Sequence, residues 1–111
     1  MNLSKALQRV RFEKGMTQVE VAKKAKITQT YLSQLETNTK KEPSKAVLQK
    51  LAKVYGVPVV IFTFLALEES DVPPKTQHLY VALKPILDSM ISELIKMSTS
   101  KPSKPQPPLQ Q

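Results

Sequence analysis

A run of twenty residues, from Gln18 to Thr37, constrains the fold of this chain more than any other feature. Apolar residues recur at helical spacing in two short segments of the run, which are separated by a few residues around Lys26. The small side chain of Ala22 allows the second helix to cross closely over the first, while Leu32 and Leu35 turn back toward a core. The run therefore predicts two short amphipathic helices that meet at a tight bend.

The second of these helices leaves polar side chains along one exposed side. Thr28 has the residue type and position of an N-cap. The side chains predicted to be exposed after it are amides and hydroxyls: Gln29, Thr30, Ser33 and Gln34. Such groups are the types that read base edges in the major groove of DNA. The pattern therefore favours DNA binding.

The positive charge of the chain lies on the segment that carries this motif. The 111 residues have a formal net charge of +8. Residues 1–56 hold 12 Lys/Arg against 4 Asp/Glu, residues 57–97 hold 3 against 5, and residues 98–111 add two lysines. The excess of positive charge, taken alone, could be an ordinary solvated surface. Because the charge lies on the same segment as the two-helix motif, a polyanionic partner is favoured.

Several classes of protein are not expected. The chain has no cysteine, which excludes disulfides, thiol chemistry and Cys-ligated metal. The sole histidine, His78, is expected on a surface, and the acids lack paired or metal-ligand spacing, so neither an enzyme nor a cofactor is predicted. The longest apolar run, residues 57–67, is shorter than the roughly 20 residues of a membrane span. No leader pattern is present, so a cytoplasmic location is the default expectation.

Start and stop signals predict five helices in the first seventy residues. Ser/Thr/Asn caps, a Thr-x-x-Glu capping box and two glycines give the bounds: Asn2 or Ser4 to Gly15, Thr17 (with Glu20) to the bend, Thr28 to Glu36, Ser44 to Gly56, and Pro58 to about Glu69. Residues 57–64 are the one stretch that is ambiguous between helix and strand. The prediction is an all-α, five-helix bundle over residues 1–69.

A sixth helix is predicted from about Lys75 to Met97, with Pro85 expected to kink or divide it. Helix five is apolar around most of its circumference, and helix six carries an apolar stripe. The apolar surface of the two helices together exceeds what one small core can bury. Helix six either folds back over helix five within one chain, or both surfaces meet their twins across a two-fold axis. The dimer is favoured. Its predicted contacts are Phe62, Leu65, Leu83, Leu87, Met90 and Leu94, with residues 70–97 as the dimerisation helix and residues 98–111 as a disordered tail.

Residues 3 to about 67 resemble the lambda repressor/Cro-like helix-turn-helix proteins, also called XRE-family regulators. The resemblance is carried by short motifs at the family's spacing: Met16-Thr17-Gln18, Ala22, Thr28-Gln29, Gln34-Leu35-Glu36 and Tyr55-Gly56-Val57. It implies a lambda-repressor-like DNA-binding bundle. One departure is Lys26, because the family usually has glycine in the bend. A left-handed residue other than glycine costs roughly 1 kcal/mol.

The resemblance also implies roles for individual residues. Gln18 is implied to bond a phosphate, and Gln29, Thr30 and Gln34 to face base edges, although the two glutamines would also suit an ordinary surface. The implied phosphate-contacting cap and loop comprise Thr28, Thr39, Lys40 and Lys41. Arg11 is implied to reach the DNA backbone while Glu36 holds it; an ordinary solvated acid is the alternative for Glu36. Tyr31 is expected to be partly packed rather than to contact DNA.

The predicted function is therefore a sequence-specific regulator of transcription that binds double-stranded DNA, as a dimeric repressor. Two copies would read half-sites about one helical turn, roughly 34 Å, apart. The alternative is an antitoxin or coactivator-like interaction module that binds a partner protein through helices five and six.

Overall fold

The computed structural model describes residues 1–37 and 43–97, which form six α-helices and no strand. The helices are α1 (Leu3–Lys14), α2 (Gln18–Ala25), α3 (Gln29–Glu36), α4 (Lys45–Tyr55), α5 (Val60–Ala66) and α6 (Gln77–Met97). Two short 3₁₀ turns, Glu69–Asp71 and Pro74–Thr76, connect α5 to α6. The predicted all-α bundle of five helices is confirmed, and residues 57–64 contain no strand.

The polar side chains predicted as caps begin the first four helices. Asn2 accepts a hydrogen bond from the Lys5 amide at 3.1 Å, which identifies it rather than Ser4 as the cap of α1. Thr17 begins α2 with the complete capping box, and Thr28 and Ser44 cap α3 and α4. Gly15 and Gly56 end α1 and α4 in the left-handed conformation, with φ of 66° and 71°. These local signals fix the directions in which the chain enters and leaves each helix.

The core lies where α1 to α5 converge, and Ile95 of α6 is also part of it. Its fully buried large side chains come from every helix of the bundle: Leu7, Val10, Val21, Leu32, Leu51, Tyr55 and Phe62. Ala22 is also buried, as the close crossing of α2 and α3 requires. Because α1 packs against α3, α5 and α6, it is the central helix of the fold.

Helix five is shorter than the sequence indicates. It covers Val60–Ala66, whereas Pro58 to about Glu69 was predicted, and Pro58 precedes its first turn. Leu67 is extended, with ψ of 135°, because the carbonyl of Ala66 accepts the Asn2 amide at 2.7 Å. This bond between distant residues ends the helix.

Helix six begins two residues later than predicted and is not divided at Pro85. Of the two predicted effects of Pro85, a kink or a division of the helix, the division does not occur. The carbonyl that proline leaves without a helical donor belongs to Val81, which is exposed, so water can bond it. The helix folds back onto α1 of the same chain, where Ile95 is fully buried.

No single helix within residues 1–37 and 43–97 has the length and apolar content of a membrane span. Helices α4 and α5 reach that length and apolar content only when they are taken together, as a pair bent by 100°.

Candidate nucleic-acid interface

The outer side of α3 carries the amides and hydroxyls that the sequence predicts there. Gln29 and Thr30 are exposed, while Ser33 and Gln34 are half-buried. The opposite side of the helix enters the core. There Leu32 and Leu35 are 0% and 2% exposed. Helix α3 is thus anchored by its leucines and presents polar groups to the surface.

The first turn of α3 is defined by its cap. The Thr28 hydroxyl accepts the Tyr31 amide at 3.0 Å, and the Thr28 side chain is itself on the surface. Tyr31 is half-buried and packs against the core, as expected. The turn therefore places Gln29 and Thr30 at the N-terminal end of the helix, which is the end that enters the groove in helix-turn-helix proteins.

The bend before α3 is made by Lys26 in a left-handed conformation. Its φ of 60° and ψ of 45° are those that glycine usually supplies, and it is the one residue other than glycine with positive φ in the described ranges. Its amide donates to the Lys23 carbonyl at 3.3 Å, and the Ile27 amide donates to Ala22 at 3.0 Å. These bonds hold α2 and α3 at their angle despite the strain at Lys26.

Exposed cations lie close in sequence to this surface. The side chains of Lys23, Lys24 and Lys26 are exposed at the end of α2, and Lys45 is exposed at the start of α4. Burial lowers the pKa of Lys14 at the end of α1. The predicted phosphate contacts Thr39, Lys40 and Lys41 lie outside the described residues.

Arg11 and Glu36 form a buried, two-point ion pair beneath α3. Arg11 Nε and Nη2 each lie 2.8 Å from a different oxygen of the Glu36 carboxylate, and Nη1 donates to the Met16 carbonyl at 3.0 Å. The Glu36 side chain is 0% exposed and that of Arg11 10%. The hydrogen bond to Glu36 raises the pKa of Arg11. Glu36 is therefore paired as the resemblance implies, and it is not an ordinary solvated acid.

Gln18 connects this ion pair to the outer side of α3. Its amide nitrogen donates to Glu36 Oε1 at 3.1 Å, and its carbonyl oxygen accepts the amide nitrogen of Gln29 at 3.5 Å. Gln18 is also the first residue of α2, where a helix N-terminus favours an anion. In this structure its hydrogen bonds are thus with protein side chains, and a phosphate contact stays a prediction.

Tyr55 completes the buried surroundings of the ion pair. It is fully buried against Phe62, and its hydroxyl has no hydrogen-bond partner among residues 1–37 and 43–97. Burial raises the pKa of this hydroxyl well above its ordinary value, and the nearby negative charge of Glu36 adds to the shift. The neutral phenol is the form that the fold accommodates.

The predicted dimerisation residues do not all lie on one surface. Phe62 is fully buried in the core and Leu65 is half-buried, so Phe62 was wrongly assigned to an interface. An apolar run that surrounds a helix does not indicate which side is buried, and this caused the error. The four residues on α6 are exposed on one side of the helix: Leu83, Leu87, Met90 and Leu94. Three of them line a groove of about 320 Å³ between α5 and α6.

Sequence reasoning missed a group of polar side chains that joins α1 to α6. Arg9 Nε donates to Glu13 Oε2 at 2.8 Å and its Nη2 to the Ser92 hydroxyl at 2.7 Å, and that hydroxyl donates to Glu13 Oε2 at 3.0 Å. Arg9 also lies 3.5 Å from Asp88 Oδ1. We call these four residues the α1–α6 polar cluster. The spacing of Arg9 and Glu13 suggests a pair on one helix, but nothing local indicates partners 79 residues away.

Comparison with known proteins identifies the helix-turn-helix motif in the sequence. The profile of the helix-turn-helix family matches residues 7–62. An uncharacterized HTH-type transcriptional regulator, YqaF, from Bacillus subtilis (strain 168) is 38% identical over 76 residues, which is 68% of this chain and 91% of that protein. No solved structure gives a significant match.

Proposed function

Because the chain belongs to the helix-turn-helix family of DNA-binding transcription regulators, which are not enzymes, we propose that it is a homodimeric repressor. It reads its operator with α3 in the major groove. The observation that carries this proposal is the outer side of α3, where Gln29 and Thr30 are exposed at the end nearest the bend. Amide and hydroxyl groups held on a rigid helix provide the donors and acceptors that base edges require.

The contacts divide into two kinds. Gln29, Thr30, Ser33 and Gln34 meet base edges and carry the sequence specificity. The second kind, contacts to phosphates, fixes the position on the duplex. It comprises Gln18 and Thr28 at helix N-termini, Arg11 held by Glu36, and the loop residues Thr39, Lys40 and Lys41.

The dimer is supported by an apolar surface that one chain leaves open. Eight large apolar side chains of α5 and α6 are each 44–76% exposed: Phe64, Leu79, Leu83, Ile86, Leu87, Met90, Leu94 and Met97. A standard interface buries about 800 Å² on each partner, and eight half-exposed apolar side chains on neighbouring helices supply a large part of such an area. Isolated monomers rarely leave a contiguous patch of that size open. A second copy of α6 fits this surface in length and chemistry.

The α1–α6 polar cluster supports a fixed geometry for such a dimer. It joins α6 to α1, and α1 packs directly against α3. A two-fold axis at α6 would therefore hold the two copies of α3 at one separation. That separation sets the half-site spacing, with about 34 Å expected for one helical turn.

Selection of bound sites from random DNA duplexes tests the reading of DNA. We expect a consensus with two-fold symmetry and one preferred half-site spacing. Recovery of duplexes with no shared sequence would contradict sequence-specific binding, and a single asymmetric half-site would contradict the dimer.

Light scattering on the purified chain tests the dimer surface. We expect a dimer for the wild type and a monomer for Leu87→Asp, because an aspartate in the apolar surface loses solvation on association. Ser89→Asp is the matched control, since Ser89 is exposed on the polar side of α6 and the same charge there leaves the dimer intact.

The same apolar surface supports one alternative, in which it binds a partner protein, as an antitoxin or coactivator does. A wild-type chain that is monomeric at micromolar concentration would favour that alternative. A dimer that Leu87→Asp leaves intact would place the interface elsewhere.

A further inference from the structure

Helix α6 is joined to the rest of the chain at three places along its length. At its start, Gln77 donates to the Val72 carbonyl at 2.9 Å. One turn later, the Tyr80 hydroxyl donates to the Leu67 carbonyl at 2.8 Å. Near the end of the helix Ile95 is fully buried in the core, and between these two ends lies the α1–α6 polar cluster. The first join reaches only the segment that connects α5 to α6, so the other two determine how α6 sits on the bundle.

The rotation of α6 about its own axis decides which side of the helix a partner would meet. Asp88 and Ser92 face α1, while Leu87 and Met90 are exposed on a different side. A hydrophobic contact such as that of Ile95 has no preferred direction, whereas a hydrogen bond weakens when its geometry is distorted. The polar cluster is therefore the part of the joint that holds the apolar side of α6 in one direction.

Arg9 is the centre of that cluster. Its Nε donates to Glu13 on the same helix at 2.8 Å, which directs the two terminal nitrogens toward α6. Nη2 donates to the Ser92 hydroxyl at 2.7 Å and to the Asp88 carbonyl at 3.4 Å, and Nη1 lies 3.5 Å from Asp88 Oδ1. Because the guanidinium is a rigid plane, several contacts from it to one helix leave that helix little freedom to turn.

Helix α1 carries the position of α6 on to α3. Arg9 and Arg11 are two residues apart, so they project from nearly opposite sides of α1. Arg11 donates two hydrogen bonds of 2.8 Å to Glu36, the last residue of α3, and α1 packs directly against α3. One helix, bonded on both sides, thus connects the apolar surface of α6 to the helix proposed to read bases.

We infer that Arg9 is a positioning residue that makes the protein selective for one half-site spacing. This inference rests on the proposed function, since it needs a dimer that binds two half-sites. One base pair added between the half-sites turns the second one by about 35° around the duplex and moves it by about 3.4 Å. A dimer with rigid joints follows that change only by releasing α6 from Arg9. The hydrogen bonds of Arg9 are then lost, and binding weakens by the amount that they contribute.

The test compares duplexes that share both selected half-sites but differ by one or two base pairs in spacing. The variant is Arg9→Met, which keeps much of the length of the side chain and removes the guanidinium. Lys84→Met is the matched control, because it also removes one cation beside Asp88, at 3.3 Å, yet that pair lies within α6 and does not reach α1. Light scattering establishes whether each variant is still a dimer.

For the wild type we expect binding to weaken by about 10- to 100-fold when the spacing changes, the equivalent of the hydrogen bonds that Arg9 donates to α6. In Arg9→Met this ratio should fall to below about 3-fold, while the affinity for a single half-site stays equal to that of Lys84→Met. Lys84→Met should keep the wild-type ratio. This pattern would assign the selectivity to the joint and not to the charge.

An unchanged ratio in Arg9→Met, or an equal fall in Lys84→Met, would overturn the inference while the proposed function stands. If Arg9→Met is monomeric, Ser92→Ala decides instead, because it removes only the hydroxyl that Arg9 and Glu13 share. Its ratio should fall by about 2- to 12-fold, and no fall would overturn the inference. A monomeric wild type would refute the proposed dimer first, and the inference with it.

A measurement without DNA gives an independent readout. Residual dipolar couplings in nuclear magnetic resonance spectra report the orientation of each helix in a common frame. The wild-type couplings of α1 and α6 should fit one frame with the helix orientations of the structure. In Arg9→Met the α6 couplings should shrink or fit a different orientation, whereas those of Lys84→Met should match the wild type. Unchanged α6 couplings in Arg9→Met would also overturn the inference.

Discussion

The ion pair beneath α3 yields the sharpest prediction about stability. Glu36→Gln removes the charge opposite Arg11 but keeps the shape of the side chain. The carboxylate now accepts three hydrogen bonds, from Arg11 Nε, Arg11 Nη2 and Gln18 Nε2. The guanidinium would remain buried without its counter-charge. Breaking a buried pair by removal of one partner costs about 3–5 kcal/mol.

Urea unfolding followed by circular dichroism measures this loss. The total stability of a small domain is about 5–15 kcal/mol, so the expected decrease is a large fraction of it. The decrease corresponds to a drop in Tm of roughly 12–40 °C. Lys84→Met is the matched control. Lys84 and Asp88 pair at 3.3 Å with side chains 44% and 34% exposed, so the loss should stay below about 1 kcal/mol.

A double variant separates the charge from the packing. Arg11→Met with Glu36→Leu removes both charges, so we expect it to be more stable than Glu36→Gln alone. A loss below about 1 kcal/mol for Glu36→Gln would refute the reasoning, because it would mean that the pair is solvated in solution.

Three further predictions concern the bend, the buried phenol and the docking of α6. Lys26→Gly should raise the free energy of unfolding by about 1 kcal/mol, because glycine adopts positive φ without strain; equal or lower stability would contradict this. If Lys26 contacts a phosphate, the same substitution should also reduce the salt dependence of DNA binding by about one charge. Ionisation of Tyr55 should not affect wild-type stability below about pH 10, but above it should lower the free energy of unfolding by up to about 1.4 kcal/mol per pH unit. The reason is that the raised pKa keeps the buried phenol protonated in the folded chain, while the phenol of the unfolded chain ionises. Tyr55→Phe should remove that part of the decline, and parallel plots of stability against pH for the two proteins would refute the prediction. Arg9→Met should destabilise the chain by about 1–3 kcal/mol in urea unfolding, because Glu13 and Ser92 each lose the hydrogen bond that Arg9 donates. No loss of stability would indicate that apolar contacts alone hold α6 in place.

The parts of the fold that depend on neighbouring residues were predictable from the sequence. Thr17 with Glu20, Thr28 and Ser44 act within one helical turn, so their residue types and spacing are sufficient to place the starts of α2, α3 and α4. The left-handed bend at Lys26 followed from the motif, although lysine is an unusual choice there. The exposure of Gln29 and Thr30 on α3 followed from the spacing of its leucines, whereas Ser33 and Gln34 are half-buried and not fully exposed as predicted.

The parts that depend on distant residues were not predictable in the same way. Helix five ends at Ala66 because the Asn2 amide, 64 positions earlier in the sequence, bonds its carbonyl. The burial of Phe62 depends on which side of an apolar helix meets α1. The bond from Gln18 to Glu36 was not predicted, because it forms only when α2 and α3 are in place.

The central claim is that the amides of α3 read base edges, and a comparison of two duplexes tests it most directly. Affinities of the wild type, Gln29→Ala and Gln34→Ala are measured for the selected site and for a scrambled duplex at one salt concentration. Loss of a base contact should weaken binding to the selected site by about 1–3 kcal/mol and leave the scrambled duplex almost unaffected. Equal weakening on both duplexes, or none on either, would contradict the claim.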